Sequence, residues 1–125
     1  MGKVIHLSEA EFCRRIGDVV RQPHNWTYRG DRPAVVDFFA SWCGPCRALS
    51  PVLDRLAGEY GDRIRIYKVD VDAEQELAAI FNVRSVPTLL FVPLDGPPRL
   101  VTGLQSVERL HEAIDSMLVP AAAKG

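Results

Sequence analysis

Two of the chain's three cysteines, Cys43 and Cys46, are separated only by Gly44-Pro45 and preceded by Trp42. Thiols at i and i+3 on a first helical turn lie close enough to form a reversible disulfide. The same turn carries unpaired backbone N–H groups and the positive end of a helix dipole, both of which favour a thiolate. The pattern points to thiol–disulfide exchange, with Cys43 as an exposed nucleophile and Cys46, one turn in, as a shielded resolving thiol. Pro45 fits the first turn because its missing N–H costs no hydrogen bond there. Two other readings stay open on spacing alone. The pair could be packing cysteines around a tight turn, since buried free cysteine is common. It could also be half of a zinc site, but four ligands are usual, and His6, His24 and His111 are scattered. No metal is expected.

Such a pair needs a strand that ends, and a helix that begins, at the cysteines. Val35 to Ala40 is a compact, mostly apolar run and reads as a buried strand. After Cys46, the residues Leu49, Val52, Leu53, Leu56, Ala57 and Tyr60 recur at helical spacing, with Pro51 expected to kink the helix. Upstream, Lys3 to Leu7 reads as a short strand. Ser8-Glu9-Ala10-Glu11 is a capping box for a helix predicted over Glu9 to Arg21. Gln22 to Pro33 is a loop. Downstream, Ile64 to Val71 is a strand, and Asp72 is expected to cap a helix from Ala73 to Phe81 that ends in a left-handed Asn82. Thr88 to Val92 and Arg99 to Thr102 form a hairpin. Ser106 caps a last helix carrying Val107, Leu110, Ile114, Met117 and Leu118. This βαβαβαββα order predicts an α/β fold with a mixed central sheet and helices on both faces. One domain over residues 1–119 is expected, with 120–125 as a loose tail.

Composition narrows the function classes. With 125 residues, 47% of them hydrophobic, and a formal net charge of -1, the chain has material for one core. The absence of a dense basic run argues against a nucleic-acid or anionic-membrane partner. The start, MGKVIHLSEAEF, is too polar for the apolar core of a secretory signal. A cytoplasmic location is therefore expected; a periplasmic protein without its leader would look the same.

The stretch VVDFFASWCGPCRALSP resembles the active site of the thioredoxin family, and YKVDVD, VRSVPTLLFV and VTGLQS follow in that family's order and spacing. The resemblance covers about Val4 to Leu118. With the five predicted strands numbered along the chain, it implies the thioredoxin fold, sheet order β1-β3-β2-β4-β5, with four helices. It also implies a protein-disulfide reductase that works through a reversible Cys43–Cys46 disulfide, binds no cofactor and acts as a monomer. Its partners would be disulfide-containing proteins and a recycling reductase, in related systems a flavoprotein drawing on NADPH.

Further site residues follow. Asp37 interrupts an apolar strand, where a carboxyl is costly without a partner or a task. The resemblance gives it the task of moving the Cys46 proton, with its pKa raised by burial. Lys68 is one of three lysines in a chain otherwise using arginine. The resemblance pairs it loosely with Asp37, though a lysine simply projecting from the sheet would look alike. Pro87 starts a strand, as proline must. The resemblance makes the Val86-Pro87 bond cis and gives the Val86 backbone to an extended substrate segment. Trp42, Gly44, Pro45 and Gly103 complete a substrate-binding rim. Oxidising relatives usually carry His between the cysteines, so Gly44-Pro45 favours a reductant over an oxidase or isomerase. A non-catalytic binding module would not need both cysteines.

Three departures stand out. Phe39 replaces a common tryptophan and Arg47 a common lysine. The connection from Arg21 to Pro33 is long and enters the strand end opposite the cysteines, where Trp26 and Tyr28 either fold it onto the domain or present it to a partner. Cys13 is expected to pack on the apolar side of the first helix.

Overall fold

Alternation along the central strand decides what lies above and below the sheet. Side chains of a strand point to opposite faces in turn, so Val36 and Phe38 enter one core and Val35 and Asp37 face the other. The structure, a computed structural model, describes residues 2–119. Its strands are β1 (Val4–His6), β2 (Ala34–Phe39), β3 (Arg65–Asp70), β4 (Thr88–Val92) and β5 (Arg99–Thr102). Its helices are α1 (Glu9–Arg15), α2 (Gly44–Tyr60), α3 (Gln75–Ile80) and α4 (Val107–Leu118). The strands form one five-stranded sheet in the order β1-β3-β2-β4-β5. β1 and β2 run parallel to β3, while β4 is antiparallel to β2 and β5. Parallel pairs need a crossover and the antiparallel β4–β5 pair only a short turn; the helices supply the former and the loop 93–98 the latter. The expected fold class and strand order are both observed.

On one face, Phe12, Ile16 and Val19 pack with Leu77 of α3 against Val36, Phe38, Tyr67 and Leu90. On the other, Leu49, Leu53 and Leu56 of α2 and Leu110 and Ile114 of α4 cover Val35, Ile66, Leu89 and Phe91. Tyr60 ties the two helices together by donating to Asp115 at 2.6 Å. No helix among the described residues is long and apolar enough to cross a membrane.

Several expected boundaries shift for identifiable reasons. α1 ends at Arg15 rather than Arg21, although Val19 and Val20 keep helical spacing. Gly17 follows the C-cap Ile16, and a Cβ there would come within 2.5 Å of the Trp26 ring. The long connection thus takes the place of the missing turns. Trp26 packs edge-on to Phe81, and Arg29 N–H donates to Ile16 O at 2.9 Å. Trp26 and Tyr28 therefore fold this segment onto the domain. α2 starts at Gly44, two residues before the expected Cys46, and continues through Pro51 to Tyr60. α3 is shorter than Ala73–Phe81 and lacks a side-chain cap; Asp72 is engaged elsewhere, as shown below. Asn82 is left-handed at φ 54° as expected, Ser8 and Ser106 both cap, and Cys13 packs half-buried against the α1 core. The expected tail over 120–125 lies outside the described residues.

Candidate active site

β2 delivers the chain to the cysteines, and α2 begins on them. Cys43 is the N-cap of α2, its Sγ accepting the Cys46 N–H at 3.2 Å. This is the role a Ser or Asp oxygen usually fills, here filled by sulfur. It leaves the Cys43 Sγ facing the partial positive charge of the first-turn N–H groups. The Cys43 thiol also lies 3.6 Å from the Val86 carbonyl. Both bonds turn Sγ inward. Cys43 is 5% exposed and Cys46 3%, so the expected contrast between an exposed and a shielded thiol is corrected: both are buried. All three cysteines are free thiols. Burial, then the contact with Cys43, pushes the Cys46 thiol up to about 11. Such a thiol needs help to ionise near neutral pH.

Asp37 sits on the α2 side of β2, the same side as Cys46 and the Leu49 stripe. It is 0% exposed, and neither carboxyl oxygen has a hydrogen-bond partner among the described residues. Desolvation raises its pKa from the ordinary 3.8 to about 6, against the opposing pull of the Lys68 charge. Lys68 is its register partner on β3, yet the ammonium does not pair with it. It donates to Ser50 Oγ at 3.0 Å and lies 4.4 Å over the Phe39 ring.

The remaining rim residues come from three loops. The Val86-Pro87 bond is cis. Gly103 N–H donates to Pro87 O at 2.8 Å, and Gly103 has φ 96°, a conformation that favours glycine. Nothing lies within 4 Å of where a Cβ would stand on Gly44 or Gly103, so both leave open space above the backbone. Trp42 is 68% exposed, and its Nε1 donates to Asp72 Oδ2 at 2.8 Å.

Asp72 and Ser50 escaped the sequence reading. Asp72 looked like a helix cap, and only the tertiary fold shows its carboxylate anchoring Trp42. Ser50 gave no signal beyond standing one turn after Cys46. No cluster of three or more His, Cys, Asp or Glu side chains suited to a metal is found among the described residues.

The arrangement joins a capping sulfur at a helix start, a second thiol beneath it that is hard to ionise, and a buried carboxyl with a free lone pair on the same side. That constellation suits dithiol–disulfide exchange with internal proton transfer. A thioredoxin family model matches residues 4–116. The thioredoxin of Borreliella burgdorferi is 44% identical over 110 residues, covering 88% of this chain and 93% of that protein. The chloroplastic M-type thioredoxin of Spinacia oleracea is 39% identical over 88 residues, covering 70% of this chain and 49% of that protein. Among solved structures, chloroplastic thioredoxin z superposes with a TM-score of 0.77 at 27% identity, covering 94% of this chain and 96% of that one. A mutant thioredoxin from Halobacterium salinarum gives 0.75 at 29%, covering 95% and 94%. With this geometry and these likenesses together, the chain belongs to the thioredoxin family and is a thiol–disulfide oxidoreductase.

Proposed function

We propose that this chain reduces disulfides in protein substrates. The Cys43 thiolate attacks one sulfur of the substrate disulfide, forming a mixed disulfide and releasing the other sulfur as a thiolate that takes up a proton. Cys46 passes its proton to Asp37 and attacks Cys43 Sγ. The second substrate sulfur leaves as a thiolate and takes up the proton that Asp37 accepted, and a Cys43–Cys46 disulfide remains. Two electrons have moved from the chain to the substrate. A thiol–disulfide reductase restores the dithiol, a flavoprotein fed by NADPH if the protein works in the cytoplasm. The chain itself carries no bound cofactor and acts as a monomer.

The observation that carries this reading is the unpartnered, fully buried Asp37 carboxyl on the Cys46 side of the sheet. A buried acid without a hydrogen bond costs stability, and proton transfer from Cys46 gives it a purpose. Val86 lies just outside β4 with its carbonyl beside Cys43. This supports a role for its backbone in pairing with an extended substrate segment, and the open space over Gly44 and Gly103 supports a rim, with Trp42 and Pro45, that receives the substrate's chain. Lys68 tunes Asp37 from the neighbouring strand, its charge opposing the rise that burial causes. The test is insulin-disulfide reduction with a dithiol donor. Wild type should accelerate it and Cys43→Ser should not; reduction by Cys43→Ser at the wild-type rate would refute the mechanism.

A further inference from the structure

Lys68 and Asp37 sit side by side on neighbouring parallel strands. Such strands lie about 4.8 Å apart, well within the reach of a lysine stem. Yet both Asp37 oxygens are unpartnered, and the ammonium bonds to Ser50 Oγ at 3.0 Å instead. Phe39 holds it from a second side, its ring centroid 4.4 Å away. We infer that Ser50 is a positioning residue for Asp37: its hydroxyl holds the Lys68 ammonium off the carboxyl and keeps that carboxyl a competent proton acceptor. The inference rests on the proposed proton-transfer role of Asp37.

Three observations favour it. Ser50 follows Cys46 by four residues on α2, so both occupy one face of the helix. Ser50 is half-buried, and alanine is the better helix former there, so a hydroxyl at this position is explained by its partner. The surroundings of Asp37 also leave Lys68 as the deciding charge. From α2 it faces the Cys46 thiol, which in turn contacts Cys43. β4 presents Leu89 in register, and α4 offers apolar Leu110 and Ile114. On β1, His6 stands beyond Lys68 in the register, with its ring against Phe39. An ammonium in direct contact with a carboxylate lowers its pKa by roughly 1–3 units. One held aside by a hydroxyl pulls less, and leaves a stronger base.

The test is direct titration of the Asp37 carboxyl by carbon NMR in reduced wild type, Ser50→Ala and Ser50→Thr, alongside single-turnover resolution of a mixed disulfide over the same pH range. In Ser50→Ala the freed ammonium should turn onto Asp37. The carboxyl midpoint should then fall by about one pH unit, with the acid limb of resolution following it. Ser50→Thr, which keeps the hydroxyl, should restore both. In a Lys68→Met background, Ser50→Ala should shift nothing. An unchanged or raised midpoint in Ser50→Ala, or a shift that persists without Lys68, would overturn the inference. A midpoint that falls while the resolution profile stays put would uphold the positioning and remove Asp37 from proton transfer.

Discussion

Replacing Asp37 with asparagine should make the protein more stable, and only above a definable pH. The wild-type carboxyl is raised from 3.8 to about 6 by burial. Between those values the folded state holds a proton that the unfolded state has lost. Stability therefore falls as pH rises through this window and stays reduced above it. At about 1.4 kcal/mol per pH unit, the gap between 3.8 and about 6 corresponds to roughly 3 kcal/mol. Asparagine is nearly the same shape and does not ionise, so Asp37→Asn escapes this loss. At pH 8 the variant should gain about 3 kcal/mol over wild type, or on the order of 10 °C in Tm for a domain of this size. Near pH 4 the two should converge, because the wild-type acid is then protonated too. Urea unfolding of the reduced proteins between pH 4 and pH 8 gives both curves. Parallel curves across that window would mean that the carboxyl is not desolvated, and the proton-carrier argument would lose its basis.

Two further outcomes follow. Asp37→Asn should resolve mixed disulfides more slowly at pH 7, with the deficit shrinking as pH climbs toward the Cys46 value of about 11; stopped-flow single turnovers would check this, and a deficit constant with pH would count against proton transfer. Trp26→Ala should cost about 3 kcal/mol, the lower range for a large aromatic, because the half-buried ring fills the space beside Gly17 and Phe81. Urea melts would read that loss, and insulin reduction at 25 °C should be unchanged, since this segment enters β2 at the end opposite the cysteines.

Much of the frame is legible because it depends on local chemistry. The hairpin strands Thr88–Val92 and Arg99–Thr102 match their expected bounds, since proline, aspartate and glycine punctuate the turn between them. Asp37 is conspicuous because one carboxyl stands in an apolar run. What stays hidden depends on distant partners. Helical spacing continues through Val19 and Val20, but Trp26 from the next segment occupies the space where Gly17 leaves the helix. Asp72 has the position of a cap, yet its carboxylate serves Trp42. Cys43 was expected at the surface, but as sulfur N-cap it turns inward toward Val86. Ser50 and Lys68 are 18 positions apart, and only the packing of α2 on β3 brings them together.

The central claim, that Cys43 attacks and Cys46 resolves, is tested most directly by trapping. Cys46→Ser removes the resolving thiol. After reaction with a disulfide-bonded protein, it should accumulate as a stable mixed disulfide, and peptide mass spectrometry should place the substrate on Cys43. Substrate found on Cys13 instead, or no trapped species under conditions where wild type turns over, would contradict the account.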